Sequence, residues 1–162
     1  MKQIFLVLAL FAAGVPALAE VPLAQDDTLL FYGGGMVERL LESGHMEAEV
    51  QLAHPDKNLH VRSLAWTGDE VGWRARPEGY VEHLKTLLRK WPANVVVLGY
   101  GMNESFAGQA GLKDFRAQYE LLLREMKRLH PQARLVLLSP IAMESDERRN
   151  PGSLTKPKAG LE

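Results

Sequence analysis

The chain has 162 residues, with 19 Lys and Arg against 20 Asp and Glu, a formal charge of -1. Its 46% hydrophobic and 24% charged residues are ordinary globular values and exclude a disordered chain. Balanced charge without a basic stripe excludes nucleic-acid binding through phosphate neutralisation. The lack of cysteine excludes disulfides, thiolate nucleophiles and thiolate metal sites.

Lys2 precedes an unbroken apolar run over 4–13, and Ala17 and Ala19 frame an A-x-A cleavage site. This pattern predicts a signal peptide over 1–19 and a secreted or periplasmic mature chain beginning at Glu20. The run is too short to cross a bilayer, which takes about 20 apolar residues. No membrane span is therefore expected.

In the mature chain, residues 28–32 (TLLFY) read as a strand, stopped by Gly33, Gly34 and Gly35. Met36, Val37, Leu40 and Leu41 recur at helical spacing, and Ser43-Gly44 ends that helix. A polar stretch follows, with a turn at Pro55 and Asp56. Residues 59–65 form a second expected strand, broken by Thr67, Gly68 and Asp69. Val81, Leu84, Leu87 and Leu88 mark an amphipathic helix over 78–90. The β-branched run at 94–98 (NVVVL) has the mark of a strand buried on both faces. Gly99, Tyr100 and Gly101 end it.

Asp114 is a candidate N-cap for a helix whose stripe is Phe115, Tyr119, Leu122, Met126 and Leu129. Residues 134–138 (RLVLL) give a fourth strand, and 144–162 read as a polar C-terminal tail. The order β-α-β-α-β-α-β implies an α/β domain over 20–143, a parallel sheet covered by helices on both faces.

Ligands of such sheets bind beyond the carboxyl ends of the strands. Three of those ends carry small or amide-bearing residues: Gly33–Gly35, Thr67–Asp69, and Gly101, Met102, Asn103 and Glu104. Glycine lets a ligand approach the backbone, and glycine amides and an asparagine amide can donate to a developing oxyanion. Each feature alone is also ordinary turn chemistry.

In order along the chain these motifs resemble the SGNH (GDSL-like) hydrolases, a family of serine ester hydrolases. FYGGGMVERL at 31–40, AHPDK at 53–57, RSLAWTGDEV at 62–71 and GYGMNESFAG at 99–108 are similar to a secreted bacterial subgroup. The resemblance covers 28–143 and implies a three-layer αβα, flavodoxin-like sheet. It also implies a carbohydrate acetyl ester or a lipid ester as ligand, and no cofactor or metal.

The family's first block places its nucleophilic serine at the position of Gly35. Gly68 matches the second-block glycine of the oxyanion hole. Asn103 matches the oxyanion-hole asparagine of the third block, G-x-N-D, with Glu104 for the final aspartate. The family's closing Asp-x-x-His is approached only by Asp146-Glu147-Arg148-Arg149, which lacks the histidine. The family's fifth strand and last helix have no counterpart, so the fold is expected to be C-terminally incomplete. The resemblance therefore implies an impaired hydrolase. A non-catalytic ester- or sugar-binding module and a non-functional fragment of a longer esterase remain as alternatives.

Ser105, Ser63 and Ser43 read as ordinary polar residues rather than substitute nucleophiles. His45, His54, His60 and His83 have no metal-ligand spacing, and His130 falls within a helix pattern. Asp26-Asp27 precedes its strand, on the wrong edge for a phospho-acceptor. Gly99-Tyr100-Gly101 departs from a dinucleotide fingerprint, with Glu104 where the third glycine belongs. Trp66 and Trp73 read as core or rim packing, with stacking on a sugar or lining an acyl pocket as the alternatives.

Overall fold

The computed structural model describes residues 21–72, 74 and 80–141. The expected signal peptide, the tail over 144–162 and Trp73 lie outside the described residues. The elements are β1 (Thr28–Gly33), α1 (Gly35–Glu42), α2 (His45–Ala53), β2 (His60–Ser63), α3 (Tyr80–Lys90), β3 (Val95–Gly99), a 3-10 turn (Glu104–Ala107), α4 (Gly108–Leu129) and β4 (Arg134–Leu138). Four parallel strands lie in the order β2-β1-β3-β4.

Alternation along the two central strands builds two cores. Leu30 and Tyr32 of β1 and Val96 and Leu98 of β3 face one side, with Leu84 and Leu88 of α3 and Tyr119, Leu122 and Met126 of α4. Leu29, Phe31, Val95 and Val97 face the other, with Val37 of α1 and partly buried Met46 and Val50 of α2. The result is a three-layer αβα sandwich. Every residue of β3 is buried, as its unalternated sequence predicts. Each large aliphatic side chain buried there contributes about 1.5–3 kcal/mol of hydrophobic stabilisation.

Two helical readings need correction. The polar stretch after Gly44, to which the sequence assigns no element before the turn at Pro55 and Asp56, forms α2. Gly44 has φ +73°, the left-handed conformation that ends α1, and the chain turns straight into a second helix. Its buried stripe is thin: Met46 and Val50, one turn apart, are only partly covered. Asp114 is not an N-cap either, because α4 begins at Gly108 and Asp114 is exposed in its interior. Gly108 and Gly111 lower the intrinsic helix propensity of that first stretch. Packing overrides it, since a Cβ on Gly111 would meet Ala107 Cβ at 2.6 Å.

The amino ends of the strands are clamped by polar contacts. Asn94 Oδ1 accepts from the Thr28 amide at 2.9 Å. Buried Asp27 accepts from the Ala24 amide at 2.7 Å and pairs with Arg134 at the start of β4. This carboxylate is structural and sits at the edge away from the carboxyl ends. His130 is the C-cap of α4 rather than a residue within it, and it is buried there.

Candidate functional site

The chain leaves β1 toward β2 on one side of the sheet, and later steps from β3 to β4 on the other. Such a reversal opens a crevice between the two strands at their carboxyl ends. Gly33 and Gly99 are register partners there, and the Gly34 amide donates to Gly99 O at 3.2 Å. α1 presses onto this junction. A Cβ on Gly99 would lie 2.3 Å from Val37 Cγ2, and one on Gly33 would lie 2.3 Å from Gly99 O. No side chain fits at either position.

A small cleft opens above it, lined by Gly34, Gly35, Asp69, Gly101, Asn103 and Glu104 among others. Its free space is about 10 Å3, close to the least that one water needs. Gly35 and Asn103 thus come together. Gly68 is exposed at its turn, with φ +88°, and does not line the cleft, whereas its neighbour Asp69 does. Thr67 borders Gly35: a Cβ there would be 3.2 Å from Thr67 Oγ1. Gly34 is tighter, with Asp69 O at 2.7 Å from the equivalent point. Position 35 is therefore the one of these two that can take a side chain.

Glu104 fixes the cleft's shape. Its Oε1 accepts from the Val71 amide at 2.7 Å and its Oε2 from the Gly101 amide at 2.9 Å. One carboxylate thereby joins the segment after β2 to the loop after β3. Asp69 is 2% exposed, and Arg74 Nε stands 4.0 Å from its Oδ2. Arg74 donates to Val71 O at 3.1 Å and to the Tyr100 hydroxyl at 3.0 Å. Its guanidinium lies 5.3 Å from the Tyr32 ring centroid and 5.5 Å from that of Tyr100.

Burial works against the Arg74 charge, but the Tyr32 and Tyr100 oxygens outweigh it and hold its pKa above the usual arginine value. Burial pushes the Tyr100 phenol far above its ordinary range. Burial first, then the Glu104 charge, raises Tyr119 to about 12. Both phenols are neutral at physiological pH; Tyr119 donates to Leu98 O at 3.3 Å and Tyr100 accepts from Arg74. Sequence reasoning assigned no role to Asp69, Arg74, Tyr32 or Tyr100. Only Asp69, beside Gly68, carried a positional signal.

The serines behave as structural residues. Ser105 donates to Met102 O at 2.7 Å, and Ser63 Oγ accepts from the Ala65 amide at 3.3 Å. Ser43 Oγ and His45 Nδ1 are 3.1 Å apart on the exposed α1–α2 corner, outside the cleft. Among the described residues, no histidine lines the cleft. No cluster of metal-ligating side chains occurs among the described residues.

Solved structures of similar fold include esterases. A family two carbohydrate esterase from Clostridium thermocellum, in complex with cellohexaose, superposes with a TM-score of 0.54 at 16% identity, over 79% of this chain and 47% of that one. An acetyl xylan esterase gives 0.53 at 16% identity, over 71% and 59%. An esterase from Pseudoalteromonas sp. gives 0.51 at 17% identity, over 71% and 62%. The fold is that of the SGNH hydrolases. The chain spans about half the length of the Clostridium thermocellum esterase structures. No family model matches the sequence, and no curated protein matches it. Among the described residues, no helix is long and apolar enough to cross a membrane.

Proposed function

We propose that the cleft receives the carbonyl oxygen of an ester, with the Asn103 side-chain amide as an oxyanion donor and Gly35 where the resembled family carries its nucleophilic serine; Gly68, the other donor the resemblance implies, stands outside the cleft at its turn. The observation that carries this reading is the meeting of Gly35 and Asn103 on an oxygen-sized cleft at the switch point of the sheet. A carbohydrate ester is favoured over a lipid ester by the structural neighbours, two of which are carbohydrate esterases and one an acetyl xylan esterase. The protein is proposed to be exported, with residues 1–19 removed and an N-terminus at Glu20.

Turnover is proposed to be impaired. Acyl transfer by a serine needs a hydroxyl and a base within hydrogen-bond reach. Gly35 has no side chain, and among the described residues no histidine lines the cleft. The same two observations favour a second reading, a module that binds an ester or sugar without turning it over. In the test, the protein is assayed with p-nitrophenyl acetate beside Asn103→Ala and exposed to a fluorophosphonate. Equal, near-background rates and no covalent label are expected. Gly35→Ser alone should restore little, because nucleophile and base act as a unit. Efficient turnover with labelling of the unaltered chain overturns the impaired reading.

A further inference from the structure

A second concavity lies beside the cleft, and nothing in the proposed ester chemistry uses it. It is an open groove of about 700 Å3 between α1 and the turn after β2, lined chiefly by Glu38, Arg39, Glu42, Ser63, Trp66 and Thr67. Trp66 is 55% exposed, an uncommon state for the largest apolar side chain. It is not on a loose loop. The Trp66 amide donates to Gly33 O at 3.0 Å, and Trp66 O accepts from the Asp69 amide at 3.1 Å.

The opposite wall is tied as well. The Glu38 carboxylate of α1 accepts from the Thr67 amide at 2.5 Å and from the Thr67 hydroxyl. The groove is thus pre-formed, which lowers the ordering cost of binding. Among the described lining residues, two carboxylates against one guanidinium disfavour an anionic ligand such as a nucleotide or phosphosugar. An aromatic face beside hydroxyl, carboxylate and guanidinium groups suits a neutral ring with an apolar face and many hydroxyls. Thr67 lines the groove and also borders Gly35, with its Cα 3.6 Å from where a Gly35 Cβ would be. The groove therefore lies next to Gly35, at the edge of the cleft.

From these features we infer that the groove is a glycan-binding subsite in which Trp66 stacks on a neutral pyranose ring. Its alignment with an esterified neighbouring sugar rests on the proposed ester reading of the cleft. Binding of the unesterified sugar does not. The test is calorimetric titration with cellohexaose and with xylohexaose, each plain and acetylated. The protein is compared with Trp66→Ala, Trp66→Phe and Asn103→Ala, all checked for an unchanged melt.

The inference expects the unaltered chain to bind at least one plain hexasaccharide. Trp66→Ala should weaken this about five- to tenfold, with partial recovery in Trp66→Phe. Should Trp66→Ala fail to fold, the Phe variant and the loss of Trp66 fluorescence shift on titration carry the test. No binding of either plain sugar, or equal binding by Trp66→Ala, overturns the subsite. Loss of the extra affinity for acetylated sugar in Asn103→Ala, with Trp66→Ala unaffected, leaves the ester reading standing without the groove. The opposite pattern leaves the groove standing without the ester reading.

Discussion

Replacing Glu104 with alanine tests whether one carboxylate holds the cleft together. The side chain accepts two backbone amides, from Val71 at 2.7 Å and from Gly101 at 2.9 Å. A hydrogen bond to a charged group contributes about 1.5–3 kcal/mol. Two of them in a half-buried site, where water can partly replace the lost acceptor, make a loss of about 2–4 kcal/mol the expectation. For a domain of this size that lowers the melting temperature by about 6–12 °C. Glu104→Gln should retain about half, because its carbonyl can satisfy one amide while its NH2 opposes the other. Calorimetry measures the global effect, and amide hydrogen exchange at Val71 and Gly101 locates it. A melt within about 1 °C of the unaltered protein, with unchanged exchange at those two amides, would refute the strap.

Other residues give independent checks. Gly99→Ala places a Cβ 2.3 Å from Val37 Cγ2. It should cost about 3 kcal/mol or more in urea unfolding, and a near-neutral result would show that α1 is less closely seated. The Cβ of Gly35→Ser meets Thr67, with Oγ1 nearest at 3.2 Å, and should change stability by less than about 1 kcal/mol, which the same urea titration reads. Burial depresses the His130 imidazole pKa below 6.5. The unfolded chain then takes up that proton first, so this contribution to stability is full above about pH 6.5 and falls as the pH drops through it. Unfolding free energies at pH 5 and pH 7 should differ less in His130→Gln, and an equal pH dependence in the two proteins would refute the assignment.

The sheet was legible because its central strands are apolar on both sides and bounded by glycine. β1 and β3 declare themselves as TLLFY and NVVVL. The stripe of Tyr119, Leu122 and Met126 likewise names the buried face of α4. α2 was not legible, because a helix resting on the sandwich with no fully buried residue carries little periodicity. The start of α4 was hidden by Gly108 and Gly111, whose low propensity is overridden by contact with the preceding turn.

At the site, Gly35 and Asn103 could be placed from strand ends alone. Gly68 could be placed only to within a residue, since the turn points it to solvent and brings Asp69 to the cleft. Arg74 lies in a stretch with no local pattern. Its contacts with Tyr32, Tyr100 and Val71 cross three segments that only the folded chain brings together.

The central claim is that the cleft is an oxyanion-binding site built from β1, the turn after β2 and the loop after β3. The most direct measurement is a nitrogen–proton correlation spectrum of the labelled protein titrated with acetylated and plain cellohexaose. The account predicts that the acetylated sugar alone shifts the side-chain amide of Asn103 together with the backbone amides of Gly35 and Gly101, with one shared affinity, while the plain sugar shifts groove amides such as that of Trp66, and that Asn103→Ala abolishes the cleft shifts. Shifts confined to other segments, or the same shifts with the plain sugar, would contradict it.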